Sequence, residues 1–241
     1  MIYFAGAAEM KLVVSADGLS LQPDGYLYNT ANAVRQKADP RVSILTKLGN
    51  DGPGRLLLEA LVHDRIVFDP ELLSLDLPSL LVVEDRQGRT SRYDSHCAQT
   101  AVSSEELLAS LQNNSDADTV VLAGTALYYQ PLFSSLLDAV TFLNPRPFIV
   151  IDPAIDSYPH PDEGRLMRQF SQASQNADCI VLRDGEAERL GTSPESAAPL
   201  VYLAARDGVS VYRDGKVCDS FAGGIEDIYG RIIRKEHQSW S

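Results

Sequence analysis

Two glycine-rich turns carry polar side chains of the kind that bind small hydroxylated molecules. Gly25 stands four residues before Asn29, which opens a predicted helix, and Asp51 lies within Leu48-Gly-Asn-Asp-Gly-Pro-Gly54. Glycine permits close approach of the backbone to a ligand, and amide and carboxylate groups hydrogen-bond to hydroxyls. A helix cap at Asn29 and tight turns at Gly25 and Asp51 would account for the same residues without a ligand. Both interpretations stay open at this level.

Several well-known catalytic signatures are absent from the sequence. There is no G-x-x-x-x-G-K-[ST] phosphate loop, no G-x-G-x-x-G fingerprint and no G-x-S-x-G nucleophile turn. A Walker-type nucleotidase, a Rossmann dehydrogenase and a serine hydrolase are therefore disfavoured. The histidines lack metal-ligand spacing and are expected in surface or core roles, and the cysteines lack a C-x-x-C pair and are expected as unpaired thiols in a reducing compartment. These residues are His63, His96, His160 and His237, and Cys97, Cys179 and Cys218.

Length and charge favour a protein that acts on small molecules. The 241 residues suit one large α/β domain or two small ones, and the 44% hydrophobic fraction is enough for a sizeable core. The formal net charge is −12, without a Lys/Arg cluster, so we expect no nucleic-acid or anionic-membrane partner. No apolar run approaches the ~20 residues of a membrane-spanning helix. The segment that begins at Met1 is predicted to be a strand rather than a signal peptide, and the expected location is the cytoplasm.

Apolar runs of strand length alternate with stretches of helical periodicity along the chain. This alternation predicts βαβ crossovers and a largely parallel sheet that is covered on both faces. A binding site is expected beyond the carboxyl ends of the strands. The predicted strands are Ile2–Ala5, Val42–Thr46, Thr119–Ala123, Pro147–Ile151, Cys179–Leu182 and Val201–Ala204, with a hairpin across Arg213-Asp-Gly215. The predicted helices are Asn29–Gln36, Gly54–His63, Leu107–Leu111, Pro131–Leu143 and Gly164–Gln175, the second capped by Asp51.

Two segments interrupt this alternation. Lys11–Leu21 and Leu80–Tyr93 have the pattern of hairpin strands, and Asp85-Arg-Gln-Gly88 supplies the turn signal of the second. We expect them to form a small accessory sheet apart from the main one.

Together, and in this order, these segments resemble the ribokinase/PfkB family of carbohydrate kinases. Gly25 and Asn29 match the family's Gly-Gly-x-x-x-Asn sugar-binding turn, with Asp24 in place of the first glycine. Leu48–Gly54 is similar to its Leu-Gly-x-Asp-x-x-Gly segment, and Leu80–Tyr93 is similar to its lid strands. The resemblance spans about residues 2 to 230 and includes further segments. These are Ile151-Asp-Pro153, the stretch around Glu186 that is like Asn-x-x-Glu, and Leu203–Gly208, which is like the nucleotide turn.

The resemblance implies one α/β domain over residues 1–241, a ribokinase-like three-layer sandwich with a mainly parallel central sheet and a small β lid at about 10–22 and 78–95. It implies phosphoryl transfer from ATP, with Mg²⁺, to a hydroxyl of a sugar or nucleoside, and a homodimer formed through the lid strands. The implied substrate-binding residues are Glu9, Gly25, Asn29 and Asp51. The implied nucleotide-binding residues are Glu186, Gly208, Asp227 and Gly230.

The chain departs from the family where phosphate is transferred. In the family, Asp-Thr-x-Gly-Ala-Gly-Asp follows the last large strand; its glycine amides open a helix and its final Asp accepts the proton of the sugar hydroxyl. Asp227 and Gly230 match the first Asp and first Gly, which puts Ile233 at the catalytic position. Isoleucine cannot accept a proton, so we assign no catalytic residue and no metal ligand. Arg183 also stands where the Asn of Asn-x-x-Glu belongs.

Three hypotheses follow from these departures. The chain is a sugar kinase with impaired activity, a non-catalytic sugar- or nucleoside-binding pseudokinase, or a truncated gene product with a frameshift near Gly224. Arg231–Ser241 is expected to be a short polar tail instead of the helices that wall the adenine pocket in the family.

Overall fold

The structure is a computed structural model that describes residues 1–38, 41–113, 118–157 and 162–234. The strands are β1 (Ile2–Ala5), β2 (Glu9–Ser15), β3 (Gly18–Asp24), β4 (Val42–Leu45), β5 (Leu48–Gly49), β6 (Val67–Phe68), β7 (Leu73–Ser74), β8 (Leu81–Glu84), β9 (Thr90–Tyr93), β10 (Thr119–Ala123), β11 (Phe148–Asp152), β12 (Cys179–Arg183), β13 (Leu200–Ala205), β14 (Gly208–Arg213) and β15 (Lys216–Phe221). The helices are α1 (Tyr26–Ala38), α2 (Gly52–His63), α3 (Ser104–Asn113), α4 (Leu132–Phe142), α5 (Glu163–Ser174), α6 (Glu186–Arg189) and α7 (Ile225–Ile233). Short 3₁₀ helices lie at Pro70–Leu72, Ala98–Thr100, Gly124–Leu127 and Ile155–Ser157.

Nine strands form the main sheet, in the order β15-β14-β13-β12-β11-β10-β1-β4-β6. Neighbouring strands from β6 to β13 are parallel, and β14 and β15 are antiparallel at one end. The central strands β1 and β10 are buried along their whole length, as expected for strands that are covered on both faces. The predicted largely parallel central sheet is confirmed.

Each face of the main sheet has its own hydrophobic core. Helices α3, α4 and α5 cover one face, where Leu136 and Phe170 are almost fully buried. Helices α1, α2 and α7 cover the other face, where Val34 and Ile228 have no exposed surface. Burial of such side chains is the main favourable contribution to folding. The predicted three-layer arrangement is therefore confirmed.

The two interrupting segments form a four-stranded sheet of their own, in the order β3-β2-β8-β9. We call this sheet the lid. Strands β2 and β8 are parallel, and each hairpin is antiparallel, as the turn signals predicted. The fully buried Gln99 links the residues that lead into β8 and β2 at the base of the lid: its Oε1 accepts from the Leu80 amide at 2.9 Å, and its Nε2 donates to the Ala8 carbonyl at 3.1 Å.

Helices α1, α6 and α7 differ from the sequence predictions. Helix α1 begins at Tyr26, so Asn29 is not its cap; the Asn29 amide already donates to the Gly25 carbonyl at 3.1 Å. Helix α6 was not predicted because it is four residues long. Arg231–Ile233 belongs to α7 rather than to a polar tail, since Ile228 and Ile232 are buried at helical spacing. Arg234 is the C-cap of α7; residues 235–241, with His237, and also His160 lie outside the described residues.

Candidate functional site

Beneath the lid, two carboxylates, an arginine and a tyrosine form what we call the lid cluster: Glu9, Arg92, Asp94 and Tyr129. Glu9 opens β2, is 5% exposed and accepts a hydrogen bond from Arg92 on β9. Arg92 also interacts electrostatically with Tyr129, whose hydroxyl donates to Asp94 at 2.6 Å. Burial raises the pKa of the Glu9 carboxyl, although the charge of Arg92 opposes the shift. The cluster therefore holds carboxylate charge at the carboxyl ends of β1 and β10.

The structure brings three of the four predicted substrate-binding residues together at this point. Gly25 has a left-handed φ of +86°, and a Cβ atom there would lie 3.0 Å from the Glu9 carboxyl carbon. A side chain at this position would therefore be strained and would press on Glu9. Asn29 is exposed, and its Nδ2 donates to Asp24 Oδ1 at 3.0 Å.

An open groove of about 570 Å³ adjoins the lid cluster. This volume falls within the range of small-molecule sites. Asp94 and Tyr129 belong to both the groove and the cluster, so the groove has a carboxylate and a phenol on its wall. The other lining residues are Ser95, His96, Thr100, Ala101, Gln130 and Pro131. Sequence analysis missed Arg92, Asp94 and Tyr129. The signal available for the first two was their position within and directly after β9, whereas Tyr129 follows the 3₁₀ helix after β10 and had no such signal.

Asp51, the fourth predicted substrate-binding residue, is bonded elsewhere. Its Oδ1 accepts from the Gly54 amide and the Ser79 hydroxyl, and its Oδ2 from the Ser79 amide, each at 2.8 Å. The first bond confirms the predicted cap of α2. Burial opposes the charge, but these hydrogen bonds lower the pKa of Asp51. The contacts show a side chain that ties α2 to the segment leading into β8.

A second group of charged residues lies at the carboxyl ends of β11 and β12. We call Tyr26, Asp152, Arg183, Glu186 and Tyr229 the arginine cluster. Arg183 Nη1 donates to Asp152 Oδ1 at 2.7 Å and lies 3.5 Å from Glu186 Oε2. The hydroxyls of Tyr26 and Tyr229 both donate to Asp152 Oδ2. The guanidinium also stands over the Tyr26 ring, 5.0 Å from its centroid.

The arginine cluster is enclosed. Asp152 and Glu186 are 0% and 1% exposed, and the Arg183 side chain is 23% exposed. Burial raises the pKa of Glu186 against the opposing effect of Arg183. Burial and then the nearby Asp152 charge raise the pKa values of Tyr26 and Tyr229, so both hydroxyls stay protonated. Every carboxylate oxygen in this cluster has a donor.

The family resemblance implies Mg²⁺, and the arginine cluster does not fit it. The two buried carboxylates that would hold a cation already share the Arg183 guanidinium. Within residues 1–38, 41–113, 118–157 and 162–234, no group of three or more His, Cys, Asp or Glu side chains could hold a metal ion. We therefore derive no step through a metal.

Gly208 lies in a separate groove of about 390 Å³ between the β13–β14 turn and the end of β15. A Cβ at this position would lie 2.8 Å from the Phe221 carbonyl, which explains the glycine. Asp207 is the charged residue of the lining, and no Lys or Arg from the described part of the chain takes part in it. The remaining lining residues are Ala205, Val209, Ser210, Ser220, Phe221 and Ala222.

The match of α7 to the family motif is corrected by the structure. Gly223 and Gly224 precede the helix, whereas Gly230 lies inside it, where its amide bonds within the helix. Gly230 is therefore not a helix-opening glycine, and Ile233 packs against the core at the far end of α7. The acidic residues in the first turn are Glu226 and Asp227, and Asp227 lies three positions after Gly224.

Asp227 is engaged in two local contacts. Its Oδ2 accepts from the Gly224 amide at 2.9 Å, and its Oδ1 lies 2.7 Å from Lys37 Nζ. Lys37 is in the last turn of α1, roughly 16 Å along the helix axis from Tyr26. The Asp227 carboxylate is thus held by the end of α1 that is remote from Gly25.

In the part of the chain that the structure describes, no helix has the length and apolar character needed to cross a membrane.

No protein-family model and no curated protein matches the sequence. Solved structures do match the fold. A PfkB protein from Polaromonas sp. JS666 has a TM-score of 0.81 and 15% identity, over 97% of this chain and 88% of that one. An uncharacterized sugar kinase from Pyrococcus horikoshii in complex with ATP has a TM-score of 0.77 and 15% identity, over 97% and 83%. Fructokinase from Vibrio cholerae O395, bound to fructose, ADP and calcium ion, has a TM-score of 0.71 and 18% identity, over 92% and 76%. The chain therefore has the ribokinase/PfkB-like carbohydrate kinase fold.

Proposed function

We propose that this protein binds a sugar or nucleoside in the groove beside the lid cluster and does not transfer phosphate to it. One contrast carries the proposal. The lid cluster presents Asp94 and Tyr129 to an open groove, whereas the carboxylates of the arginine cluster already share Arg183 and have a donor at every oxygen. The chain would thus act as a binding protein built on a kinase fold.

The groove has the chemistry for hydroxyl recognition. A carboxylate such as Asp94 accepts hydrogen bonds from sugar hydroxyls, and the Tyr129 hydroxyl serves as donor or acceptor. Structures with this fold have been solved with fructose and with aminoimidazole riboside, which are ligands of this chemical class. Glu9 and Arg92 are bonded to each other beside these two groups, and the Arg92 charge acts on Tyr129.

The phosphate side lacks the positive charge that ATP requires. Among the described residues, the groove at Gly208 contains Asp207 and no basic side chain, and the Asp227 carboxylate is held by Lys37. Positioned cations supply most of the catalysis of phosphoryl transfer. We expect ATP with Mg²⁺ to bind weakly or not at all, and phosphoryl transfer to stay at background.

A thermal-shift screen against sugars and nucleosides, followed by calorimetry, tests this proposal. Stabilisation by a member of the panel, no shift with ATP–Mg²⁺ and no phosphosugar are the expected results. Asp94→Asn should weaken ligand binding, while Asp85→Asn, in the exposed lid turn, is the matched control. Flat responses to every sugar and nucleoside would remove the proposal.

One observation favours the second candidate, an active sugar kinase. Asp227 follows Gly224 by three residues at the opening of a helix after the last strand, which is the spacing of Gly-Ala-Gly-Asp. A proton acceptor is therefore present in the first turn. Phosphosugar formation above the no-protein control, abolished by Asp227→Asn, would establish this candidate.

We also propose a homodimer formed through the lid, and a cytoplasmic location. Leu19 on β3 and Tyr93 on β9 are 72% and 62% exposed on the two edge strands of the lid. Exposed edges and apolar side chains favour association. Light scattering should give twice the chain mass for the natural protein and less for Leu19→Lys; a monomer at all concentrations would contradict the dimer.

A further inference from the structure

The geometry of Arg183 points to a cation built into the protein. One nitrogen, Nη1, lies 2.7 Å from Asp152 Oδ1 and 3.5 Å from Glu186 Oε2, so a single positive group bridges two buried carboxylates. Asp152 ends β11, and Glu186 opens α6 just after the neighbouring parallel strand β12. Such a bridge is the place that a divalent cation takes between two carboxylates.

Both carboxylates have donors besides the arginine side chain. Glu186 accepts from the backbone amides of Ile155 and Arg183, each at 2.8 Å. Asp152 Oδ2 accepts from the hydroxyls of Tyr26 and Tyr229. The Tyr26 hydroxyl also accepts from Arg183 Nη2, but the other three donors have no bond to the guanidinium and would still hold the carboxylates if it were removed. They would then form a prepared pair of anionic oxygen ligands.

The charges of the arginine cluster explain why a cation is needed there. Two buried carboxylates without a counter-ion carry a large desolvation cost, which an opposite charge within about 4 Å offsets. Arg183 contributes one positive charge and leaves the cluster with a formal charge of −1. Its side chain is 23% exposed, so its position is within reach of solvent.

We propose that the Arg183 guanidinium takes the electrostatic place of a divalent cation between Asp152 and Glu186, and that a neutral side chain at this position opens a Mn²⁺ or Mg²⁺ site. In the variant Arg183→Asn, the amide oxygen of the introduced side chain, the two carboxylates and water would complete the coordination, since Mg²⁺ keeps several waters and uses one or two carboxylates. The inference goes beyond ligand binding in the lid groove, and metal binding is measured without a sugar.

Manganese titrations followed by electron paramagnetic resonance test the proposal, because the signal of hydrated Mn²⁺ falls when the ion binds. The natural protein and Arg183→Lys should show no specific site, whereas Arg183→Asn should bind one Mn²⁺ about 10-fold or more tightly than either. Its midpoint of thermal unfolding should rise by about 2–4 °C when Mn²⁺ is present at several times its dissociation constant.

Arg146→Asn is the matched control. Arg146 pairs with the single carboxylate of Asp178, with both oxygens 2.9 Å from its Nη1, at an exposed position. Removing it frees one carboxylate rather than two, so Mn²⁺ affinity should stay at the level of the natural protein. A gain equal to that of Arg183→Asn would show general charge attraction and would overturn the proposal.

Two further outcomes would also overturn it. One is saturable Mn²⁺ binding by the natural protein that Asp152→Asn removes, since the site would then accept a metal beside Arg183. The other is failure of Arg183→Asn to bind Mn²⁺ or, if it is unfolded without metal, to refold when Mn²⁺ is added. Recovery of its circular dichroism spectrum by Mn²⁺ would support the proposal.

Discussion

The lid cluster and the arginine cluster contain the same chemical groups in two different settings. Each pairs carboxylates with one arginine and adds tyrosine hydroxyls. In the lid cluster, Asp94 and Tyr129 also line an open groove, and Arg92 comes from an accessory sheet. In the arginine cluster, Asp152 is fully buried and all its bonds go to other protein groups. The comparison teaches that access and unused bonding capacity, rather than residue type, distinguish a binding site from a structural network.

The largest expected effect is the difference in lost unfolding free energy when a carboxylate is removed from each cluster. Asp152→Asn leaves Arg183 without its main partner in a buried place, which typically costs about 3–5 kcal/mol. Asp94→Asn acts at a partly exposed residue and should cost about 1 kcal/mol or less. Urea unfolding at neutral pH measures both. Equal losses from the two substitutions would contradict the distinction drawn above.

The next effect concerns the base of the lid. Asp51→Ala removes the cap of α2 and both bonds to Ser79, so we expect a loss of about 2 kcal/mol at pH 7. The folded-state pKa of Asp51 is lowered, so its stabilising effect is present above about pH 4 and is lost as the pH falls through the folded value. The loss should therefore shrink on acidification.

Unfolding curves of the natural protein and Asp51→Ala at pH 7 and near pH 3 check this expectation. Asp69→Ala, which caps a short 3₁₀ helix through one bond at 3.0 Å to Glu71, is a control for an ordinary cap. A pH-independent cost of Asp51→Ala would mean that its carboxylate charge contributes nothing.

A smaller expected effect is the difference in stability between variants at two tyrosines, one from each cluster. Tyr229→Phe leaves one bond fewer to the buried Asp152 and should cost about 1–1.5 kcal/mol of unfolding free energy. Tyr129→Phe removes a bond to the half-buried Asp94 and should cost less. Chemical denaturation measures the difference in unfolding free energy. A greater cost for Tyr129→Phe would contradict the conclusion that the arginine cluster, and not the lid cluster, is the structural network.

The smallest expected effect is on binding. Tyr129→Phe should weaken the affinity for the sugar or nucleoside found by screening about 5- to 10-fold, the equivalent of one hydrogen bond. Tyr229→Phe should leave that affinity unchanged, because its hydroxyl points into the arginine cluster. Calorimetry on both variants measures these affinities. An unchanged affinity for Tyr129→Phe would mean that the ligand does not bind in the groove beside the lid cluster.

Local pattern predicted the elements and failed where contacts across the chain choose the outcome. Ile2–Ala5 and Thr119–Ala123 were predicted with their observed bounds because buried parallel strands are continuous apolar runs. The two-residue strands β5, β6 and β7 carry no such pattern, since pairing with a neighbour defines them. The motif was matched in the wrong register because Asp227-x-x-Gly230 has the spacing of its first half, whereas Gly224-x-x-Asp227 has the spacing of its second half.

The order of apolar and polar residues was sufficient to specify an α/β sandwich with a lid, since periodic burial and turn chemistry are local properties. The partners of its charged groups were not specified in this way. Tyr26 and Arg183 meet although 157 positions separate them, and Asp51 bonds to Ser79 rather than facing Glu9. Such pairings depend on where the packed layers place each carboxylate, because charge interactions act over a few ångströms of space and not along the chain.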